Sequence, residues 1–402
     1  MHQTKHRILH VIPTLGSGGA ERVLLTYLSQ PALNHGFQHL VVLTDVADPH
    51  VDIPETFLVK LLEEQGVEVV GLGLPESRNI IKSTVALNSL IRDRKIDLVH
   101  SQLVWANISG RLAGRLAGIP VIASFHSTDY APEAMQSFHI PKWKQELIQR
   151  IDSFTTRWFV KKSIAVSKYV ADHIEAELKL DPSKIQVIYN PIDFRQIQPS
   201  TTDAREKIFH ELGINDECKL ILSVGRVIPS KGFLELVEAF SRLDPKLNVF
   251  LAIVGAQSDS QHLRALQSMI SDKRLVGKVY LAGARRDISN WLAAADIFAF
   301  PTKYEGLPVA LAEAMASGVA CVASDVGPMP ELITHEKTGI IFPVGDINAL
   351  AQSIALLLTN DPLRETLGEA GQKSILQRFN PDVKSQEMAD LYVSVIQNHA
   401  RC

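Results

Sequence analysis

The stretch 220–240 reads LILSVGRVIPSKGFLELVEAF and contains an apolar run, a loop bounded by glycines and a segment with apolar residues at helical spacing. This order predicts a buried strand, a tight loop and a helix. The same order occurs near the amino end, where the apolar run 7–12 precedes the glycine-rich GSGGA at 16–20 and a helical pattern at 20–28. Each half of the chain therefore opens with strand, glycine loop and helix.

Short apolar runs alternate with helical patterns through the rest of both halves. These runs lie at 39–43, 67–72, 97–101, 120–126, 248–255, 278–283, 296–302 and 319–324. Such alternation predicts parallel sheets with helices on both faces. We therefore expect an α/β protein with two Rossmann-like domains. Because ligands bind beyond the carboxyl ends of parallel strands, we expect the two domains to face a central cleft that holds the functional site.

The boundary between the halves is expected in the polar segment 190–203, NPIDFRQIQPSTTD, which contains two prolines. We assign residues 1–195 to the first domain and 196–378 to the second. Residues 379–402 predict a terminal helix.

Composition excludes several classes of protein. The 402 residues are 46% hydrophobic and 21% charged, which is typical of a globular chain. A net charge of -3 gives no basic excess of the kind that nucleic-acid binders show. Cys218, Cys321 and Cys402 are too widely spaced for a disulfide framework or zinc finger. The short apolar run at the amino end and the lack of about 18 consecutive apolar residues predict a cytoplasmic protein without a membrane span.

Two glycine-bounded loops carry binding chemistry. Gly18 and Gly19 allow close approach of a ligand to the backbone at a helix start, although a plain tight turn explains them equally well. Glu21 stands where a dinucleotide fingerprint needs its third glycine. In the second loop, Arg226 and Lys231 could neutralise a diphosphate, but two cations at a strand end are also common on solvated surfaces.

A third candidate is the stretch PTKYEGLPVALAEAMASG at 301–318. Pro308 suits a first helical turn, so we expect the helix to begin near Leu307 and the free N–H groups at 306–309 to donate hydrogen bonds to an anion or to sugar hydroxyls. Glu305 then precedes the helix, and Glu313 lies within it. The alternative is a capped amphipathic helix with incidental acids.

These stretches together resemble a known family. EGLPVALAEAM is similar to the glutamate motif, two glutamates separated by seven residues, of retaining glycosyltransferases with the GT-B fold in family four. GRVIPSKG, GGAERV, VIYNPID (187–193) and DIFAFPT resemble other motifs of that family and occur in the expected order. The resemblance extends from about residue 8 to residue 345.

The resemblance implies a role for each matching position. Arg226 and Lys231 would hold the donor diphosphate, and Glu313 would bind the ribose. Glu305 would bind the sugar hydroxyls, together with the backbone of Gly306, Leu307, Pro308 and Val309. Pro308 stands where many members have glycine, so the sugar contacts are left open.

Further implied positions lie outside the glutamate motif. Gly18 and Gly19 would approach the donor from the first domain, His126 would lie near the reacting sugar, and the backbone of Ala284 and Arg285 would lie near the base. The residues expected to act in catalysis are Glu305, His126, Arg226 and Lys231. Residues 379–402 would pack back on the first domain.

The reaction implied is transfer of a sugar from a nucleotide-sugar donor to an acceptor hydroxyl, with retention of anomeric configuration. UDP is the nucleotide expected in the donor, and GDP is the next candidate. No Asp-x-Asp motif occurs, so no metal is expected. The nucleotide-sugar would be a co-substrate, and the resemblance implies no cofactor. The acceptor would be a saccharide or lipid-linked molecule in surface polysaccharide, lipopolysaccharide or glycolipid biosynthesis. Its identity, the linkage and the oligomeric state are not encoded in any motif.

Residues 141–162 contain six lysines and arginines and two acids. Leu147, Ile151, Phe154 and Trp158 share one helical stripe. The segment either rests on an anionic membrane from the cytoplasmic side or buries the stripe in the first domain.

Two other functions remain open at the level of sequence. A nicotinamide dehydrogenase is suggested by the Rossmann-like halves and by Asp45 at a strand end, where it could bind a ribose. The missing third glycine and the pair Arg226 and Lys231 count against it. A non-catalytic subunit that binds a sugar nucleotide is disfavoured by Arg226, Lys231, Glu305 and Glu313, all of which are intact.

Overall fold

The computed structural model describes residues 5–16, 18–51, 53, 56–73, 79–131, 135, 141–194, 197 and 202–401. The chain divides into two compact units, Met1–Pro191 with Pro381–Cys402, and Ile192–Asn380. The chain first passes from one unit to the other after Pro191, within the polar segment 190–203. Residues 195, 196 and 198–201 of this segment lie outside the described residues.

The first unit is built on a parallel sheet. Its strands are β1 (Arg7–Ile12), β2 (Gln38–Leu43), β3 (Glu68–Gly71), β4 (Leu98–Gln102), β5 (Val121–Phe125), β6 (Lys162–Ala165) and β7 (Ile185–Val187). The strand order is β3-β2-β1-β4-β5-β6-β7, and every pair is parallel. All five residues of β4 and of β5 are buried, as expected for central strands covered on both faces.

Helices connect these strands. They are α1 (Gly19–Leu28), α2 (Pro31–Asn34), α3 (Val59–Glu63), α4 (Ile80–Asp93), α5 (Val104–Ala117), α6 (Lys142–Phe159) and α7 (Lys168–Leu178). Side chains cap two of the helix starts: Asn79 accepts a hydrogen bond from the Lys82 N–H, and Ser167 accepts one from the Val170 N–H.

The second unit repeats the plan. Its strands are β8 (Lys219–Val224), β9 (Val249–Val254), β10 (Val279–Gly283), β11 (Ile297–Phe300), β12 (Ala320–Ser324) and β13 (Ile340–Phe342), in the parallel order β10-β9-β8-β11-β12-β13. Its helices are α8 (Thr202–Leu212), α9 (Phe233–Phe240), α10 (Ser260–Asp272), α11 (Ile288–Ala294), α12 (Val309–Ala316), α13 (Met329–Leu332), α14 (Ile347–Thr359) and α15 (Asp361–Arg378).

The last helix, α16 (Pro381–Ala400), belongs to the first unit. Its Tyr392 is buried, and the Tyr392 hydroxyl lies 2.6 Å from Nδ1 of His100 on β4. In the part of the chain that the structure describes, no helix has the length and apolar content that crossing a membrane requires.

Strand order fixes where each sheet can bind a ligand. In both sheets the chain adds strands on one side of the unit's first strand and then switches to the other side. This turning point of the sheet lies between β1 and β4 in the first unit and between β8 and β11 in the second. The crevice outside the carboxyl ends of such a strand pair is the usual ligand site of a doubly wound sheet. The prediction of two Rossmann-like parallel-sheet domains is confirmed.

Candidate functional site

Two loops meet at the turning point of the second sheet. The loop 225–232 follows β8, and the loop 301–308 follows the neighbouring strand β11. The Lys303 N–H donates to the Ser230 carbonyl at 2.8 Å, and Oγ1 of Thr302 lies 3.1 Å from the same oxygen. These contacts hold the loop 225–232, which contains Arg226 and Lys231, against the loop 301–308, which contains Glu305.

Lys231 and Glu305 face each other between these loops. Nζ of Lys231 forms an ion pair with Oε1 of Glu305, and the two side chains are only 18% and 14% exposed. Oγ1 of Thr302 lies 3.1 Å from Oε1 of Glu305. The Lys231 ammonium also lies 5.7 Å from the centre of the Phe300 ring, within range of a cation–π interaction. The ammonium and the carboxylate are thus both held in place.

Gly232 makes this close approach of the loops feasible. Its φ is +70°, which L side chains rarely adopt, and a Cβ there would collide with the Pro301 carbonyl oxygen. Only glycine satisfies both conditions without strain.

Arg226 is the second cation of the loop. Its side chain is exposed and has no hydrogen bond or ion pair with any residue that the structure describes. A guanidinium in this condition is available for a phosphate, to which it can donate two parallel hydrogen bonds.

The helix after Glu305 begins later than expected. Helix α12 starts at Val309, and Pro308 is its N-cap with φ -78° and ψ 97°. The expectation of a start near Leu307 is therefore wrong. Leu307 cannot begin the helix easily, because the residue before a proline avoids helical backbone angles. Pro308 is not helical either, because its ψ is extended. The N–H groups without intrahelical partners are then those of 309–311, and Glu313 lies within the helix.

Ala284 and Arg285 follow the edge strand β10. The Arg285 guanidinium donates to both carboxylate oxygens of Asp287, at 2.9 and 3.0 Å, and to both of Glu211, at 3.0 and 2.9 Å. These two carboxylates raise the pKa of Arg285. Because its side chain is occupied in this way, the backbone is the part of Arg285 that is free to meet a ligand.

In the first unit, Gly18 and Gly19 lie at the start of α1, beyond the end of β1. Gly18 is the N-cap, with an extended backbone, and Gly19 is the first helical residue. The Glu21 carboxylate stands beside Gly18 and accepts a hydrogen bond from Oγ1 of Thr14 at 3.1 Å. A carboxylate in the first turn interacts favourably with the helix dipole and competes with an incoming anion.

His126 directly follows β5, and its Nε2 lies 3.1 Å from Oε1 of Gln102, the last residue of β4. This contact assigns the ring proton to Nε2 and leaves Nδ1 as an acceptor, and Nδ1 has no partner among the described residues. Burial lowers the pKa of His126 to about 4, so the ring is neutral at pH 7. Both residues line a cavity of about 10 Å³, room for about one water molecule.

The basic segment takes a definite orientation. Helix α6 leaves Leu147, Phe154 and Trp158 exposed and Ile151 half-buried, so the alternative in which it buries this stripe in the first domain is wrong for three of its four residues. Nowhere in the described ranges do three or more His, Cys, Asp or Glu side chains form a group that could hold a metal ion.

Two family models match the chain, one to each half. The model described as Glycosyltransferase Family 4 matches residues 17–196, and the model described as Glycosyl transferases group 1 matches residues 204–374. The protein is a family 4 glycosyltransferase. This membership removes the dehydrogenase interpretation, in which Asp45 would bind a ribose.

Curated relatives share about a quarter of their residues with this glycosyltransferase. The UDP-Gal:alpha-D-GlcNAc-diphosphoundecaprenol alpha-1,3-galactosyltransferase of Escherichia coli is 28% identical over 79% of this chain and 80% of its own. The N,N'-diacetylbacillosaminyl-diphospho-undecaprenol alpha-1,3-N-acetylgalactosaminyltransferase of Campylobacter jejuni is 27% identical over 87% and 91%. Among solved structures, Anabaena HepE in complex with UDP and glucose has a TM-score of 0.82 at 22% identity, over 97% of this chain and 100% of that one.

Two residues that contact predicted positions of this glycosyltransferase, one in each unit, were not singled out from the sequence. Thr302 contacts Glu305, and Gln102 contacts His126. Both lie at or just beyond the carboxyl end of a strand beside a turning point, so strand-end position was the signal that could have identified them.

Proposed function

We propose that this glycosyltransferase uses a UDP-sugar donor. The named activity of the Escherichia coli relative and the UDP bound to Anabaena HepE support this choice of nucleotide. GDP is the alternative nucleotide. The observation that carries the proposed donor site is the ion pair between Lys231 and Glu305 at the turning point of the second sheet.

The donor diphosphate would lie against Arg226 and Lys231. Arg226 is exposed and available, and Lys231 would exchange its single carboxylate partner for phosphate oxygens. Glu305, released from Lys231, would accept hydrogen bonds from sugar hydroxyls. The backbone of 306–309 would hold the same sugar, and Glu313 on α12 would bind the ribose.

The reaction that we propose retains the anomeric configuration and needs no metal. Departure of the diphosphate builds negative charge on the leaving group, which Arg226, Lys231 and the start of α12 would stabilise. Attack would come from the face that the diphosphate leaves. Neutral His126 would accept a hydrogen bond at Nδ1 from the sugar or the acceptor, since that nitrogen carries a lone pair.

The acceptor that we propose is a lipid-linked saccharide at the inner face of the cytoplasmic membrane. The Escherichia coli and Campylobacter jejuni relatives are named for acceptors in which a saccharide is linked to undecaprenol diphosphate, which supports a lipid-linked acceptor. Such a reaction would belong to the assembly of surface polysaccharide or glycolipid.

A thermal-shift series with UDP, GDP and NAD, each in EDTA, tests the donor site. A ligand at 100 times its Kd adds about 2.7 kcal/mol of stability, or a Tm rise of several degrees. We expect UDP to raise Tm in the wild type but not in Arg226→Ala. No rise with UDP or GDP would contradict the proposal.

A turnover assay separates an enzyme from a non-catalytic binding subunit. We expect the protein to release UDP from a UDP-sugar when a lipid-linked saccharide is present, and NMR of the product to show the donor's anomeric configuration. UDP binding without turnover on a panel of donors and acceptors would favour the non-catalytic subunit. Activity that EDTA abolishes and Mg²⁺ restores would contradict the metal-free mechanism.

A further inference from the structure

Helix α6 packs against the first unit with its polar side. Asp152, Thr155 and Thr156 are buried, whereas the side chains of Trp143 and Trp158 are 62% and 69% exposed. A surface helix normally buries its apolar stripe and exposes its polar side. The apolar stripe of α6 therefore faces outward.

A buried ion pair fixes this orientation. Arg111 on α5 and Asp152 are both almost fully buried and are paired with each other. The Tyr130 hydroxyl donates to the other carboxylate oxygen of Asp152 at 2.6 Å. Rotating α6 to bury its aromatic side chains would separate Arg111 from Asp152 and leave a buried charge uncompensated, which is strongly unfavourable.

The outward stripe contains large apolar side chains. Leu147 is 49% exposed and Phe154 is 56% exposed, and both lie near Trp143 and Trp158. On a helix that turns about 100° per residue, these four side chains fall within about 60° of one another, and Asp152 lies about 180° from Trp143. They form one band along the outward face of α6, with the half-buried Ile151 at its edge.

Cations flank this band. The exposed basic residues of the segment are Lys142, Lys144, Arg150, Arg157 and Lys161, and its one exposed acid among residues 141–162, all of which are described, is Glu146. Arg150 and Arg157 project from the same side as Phe154 by helical spacing. Tryptophan, leucine and phenylalanine bordered by lysine and arginine suit the boundary between lipid headgroups and acyl chains.

Helix α4 extends the apolar surface. Ile81 and Val85, one helical turn apart, are 76% and 62% exposed, and Lys82 beside them is also exposed. Helices α4 and α6 both pack against α5. Because each of the three leads from one parallel strand to the next, their first turns lie at the same end of the sheet, beyond the carboxyl ends of the strands. Ile81 and Val85 are thus at the end of the helix layer that also carries Trp143 and Leu147.

We propose that the outward band of α6, with Ile81 and Val85 of α4, is a surface that docks on an anionic lipid bilayer. The aromatic side chains enter the headgroup boundary and the flanking cations meet lipid phosphates. A second copy of the chain fits this surface poorly, because pairing two such faces would oppose like charges. The inference deepens the proposed function, on which it rests for the choice of acceptor, by naming the surface on which a lipid-linked acceptor is presented.

Vesicle flotation of the full chain tests the surface. The probes are vesicles of phosphatidylcholine alone and of phosphatidylcholine with about 30% phosphatidylglycerol. We expect retention on the anionic vesicles only, with loss at about 0.5 M salt. Arg150→Glu with Arg157→Glu should lower the partition coefficient at least about fivefold per cation. Trp143→Ser with Trp158→Ser should lower it at least about tenfold.

Matched controls lie in the second unit. Val276→Ser changes a side chain that is 75% exposed, and Lys246→Glu with Lys337→Glu reverses two exposed cations. Both variants should float like the wild type. Equal losses in the control and α6 variants would overturn the proposal, as would wild-type protein that ignores anionic vesicles.

Two further readouts separate this inference from the donor site. A UDP-induced Tm rise that persists in the α6 variants, while flotation is lost, supports the membrane surface and leaves the donor site intact. Wild-type protein that floats with anionic vesicles but shows no UDP-induced Tm rise would count against the donor site alone. A dimer in light scattering that Trp143→Ser with Trp158→Ser converts to a monomer would assign the surface to a second copy and overturn the membrane proposal.

Discussion

Lys231 and Glu305 are 74 residues apart in the sequence and form a part-buried ion pair between the loops that follow β8 and β11. The pair joins the cation expected to hold a diphosphate to the carboxylate expected to hold a sugar. Each charge compensates the other, so the two groups stay in place at the turning point of the sheet. A donor would replace one interaction with two: phosphate on the ammonium and hydroxyls on the carboxylate.

Separate substitutions of these two residues should have different effects. Lys231→Met removes the positive charge, so we expect the UDP-induced Tm rise to disappear. Glu305→Gln keeps the cation, so UDP should still bind while kcat/KM for sugar transfer falls about 10²–10³-fold. Thermal shift and steady-state kinetics measure the two effects.

The matched controls for this pair are Lys337→Met and Glu336→Gln, which change exposed residues of the same unit. Both should behave like the wild type. Undiminished UDP binding by Lys231→Met would mean that this lysine does not hold the diphosphate.

Gly232→Ala should destabilise the second unit more than Gly277→Ala. Both glycines have positive φ, +70° and +83°, but an added Cβ meets the Pro301 carbonyl at Gly232 and nothing within 4 Å at Gly277. Backbone strain alone should cost about 1 kcal/mol at Gly277, and strain plus the collision at least about 3 kcal/mol at Gly232. Urea midpoints compare the two, and equal shifts would show that Pro301 moves away freely.

The buried Arg111–Asp152 pair should be costly to break and easy to replace. Arg111→Leu leaves Asp152 buried without its cation, and we expect a loss of about 3–5 kcal/mol. The triple variant Arg111→Met, Asp152→Leu, Tyr130→Phe removes the ion pair and the tyrosine hydroxyl together and should recover most of that stability, since the neighbouring Thr155 and Thr156 hydroxyls still donate to backbone carbonyls. Nε and Nη2 of Arg111 have no partner among the described residues, which favours the apolar replacement. Additive losses in thermal melts would contradict this account.

Acid should destabilise the first unit through its buried histidines. Burial lowers the pKa of His39 and His126 to about 4 and that of His100 to about 3, and it lowers the pKa of His10 well below 6.5. Between about pH 6.5 and 4 these four positions therefore bind more protons in the unfolded chain than in the folded chain, and Asp129, whose pKa burial raises to about 6, opposes them in part. The free energy of unfolding should fall by up to about 1.4 kcal/mol per pH unit for each histidine.

Urea unfolding at several pH values measures this slope. His10 lies 3.0 Å from His39, and its ring is next to that of His100, so His10→Leu removes one titrating group from the cluster. The slope should become shallower in that variant. His50→Leu changes an exposed histidine and should leave the slope unchanged. An unchanged slope in His10→Leu would show that this residue takes up its proton outside the window.

Much of the fold could be predicted from the sequence because its determinants are local. Apolar runs of strand length, helical spacing and glycine loops recur in both halves, and each is a property of neighbouring residues. The positions of Arg226, Lys231 and Glu305 on strand-end loops followed from the same pattern. The sequence locates the start of α12 less accurately, because Pro308 is compatible with either the first helical turn or the N-cap.

Contacts between distant segments lay beyond the reach of those patterns. Periodicity placed Leu147, Ile151, Phe154 and Trp158 on one stripe but could not decide whether that stripe faces the core. Arg111 decides it, from another helix, by holding Asp152 inside. In the same way, Glu211 pairs with Arg285 and Lys231 pairs with Glu305, each across 74 residues of sequence. Local sequence determines which elements form because backbone and side-chain preferences act between neighbours. Tertiary packing decides which charges meet, because a buried charge must find its partner wherever the fold brings one.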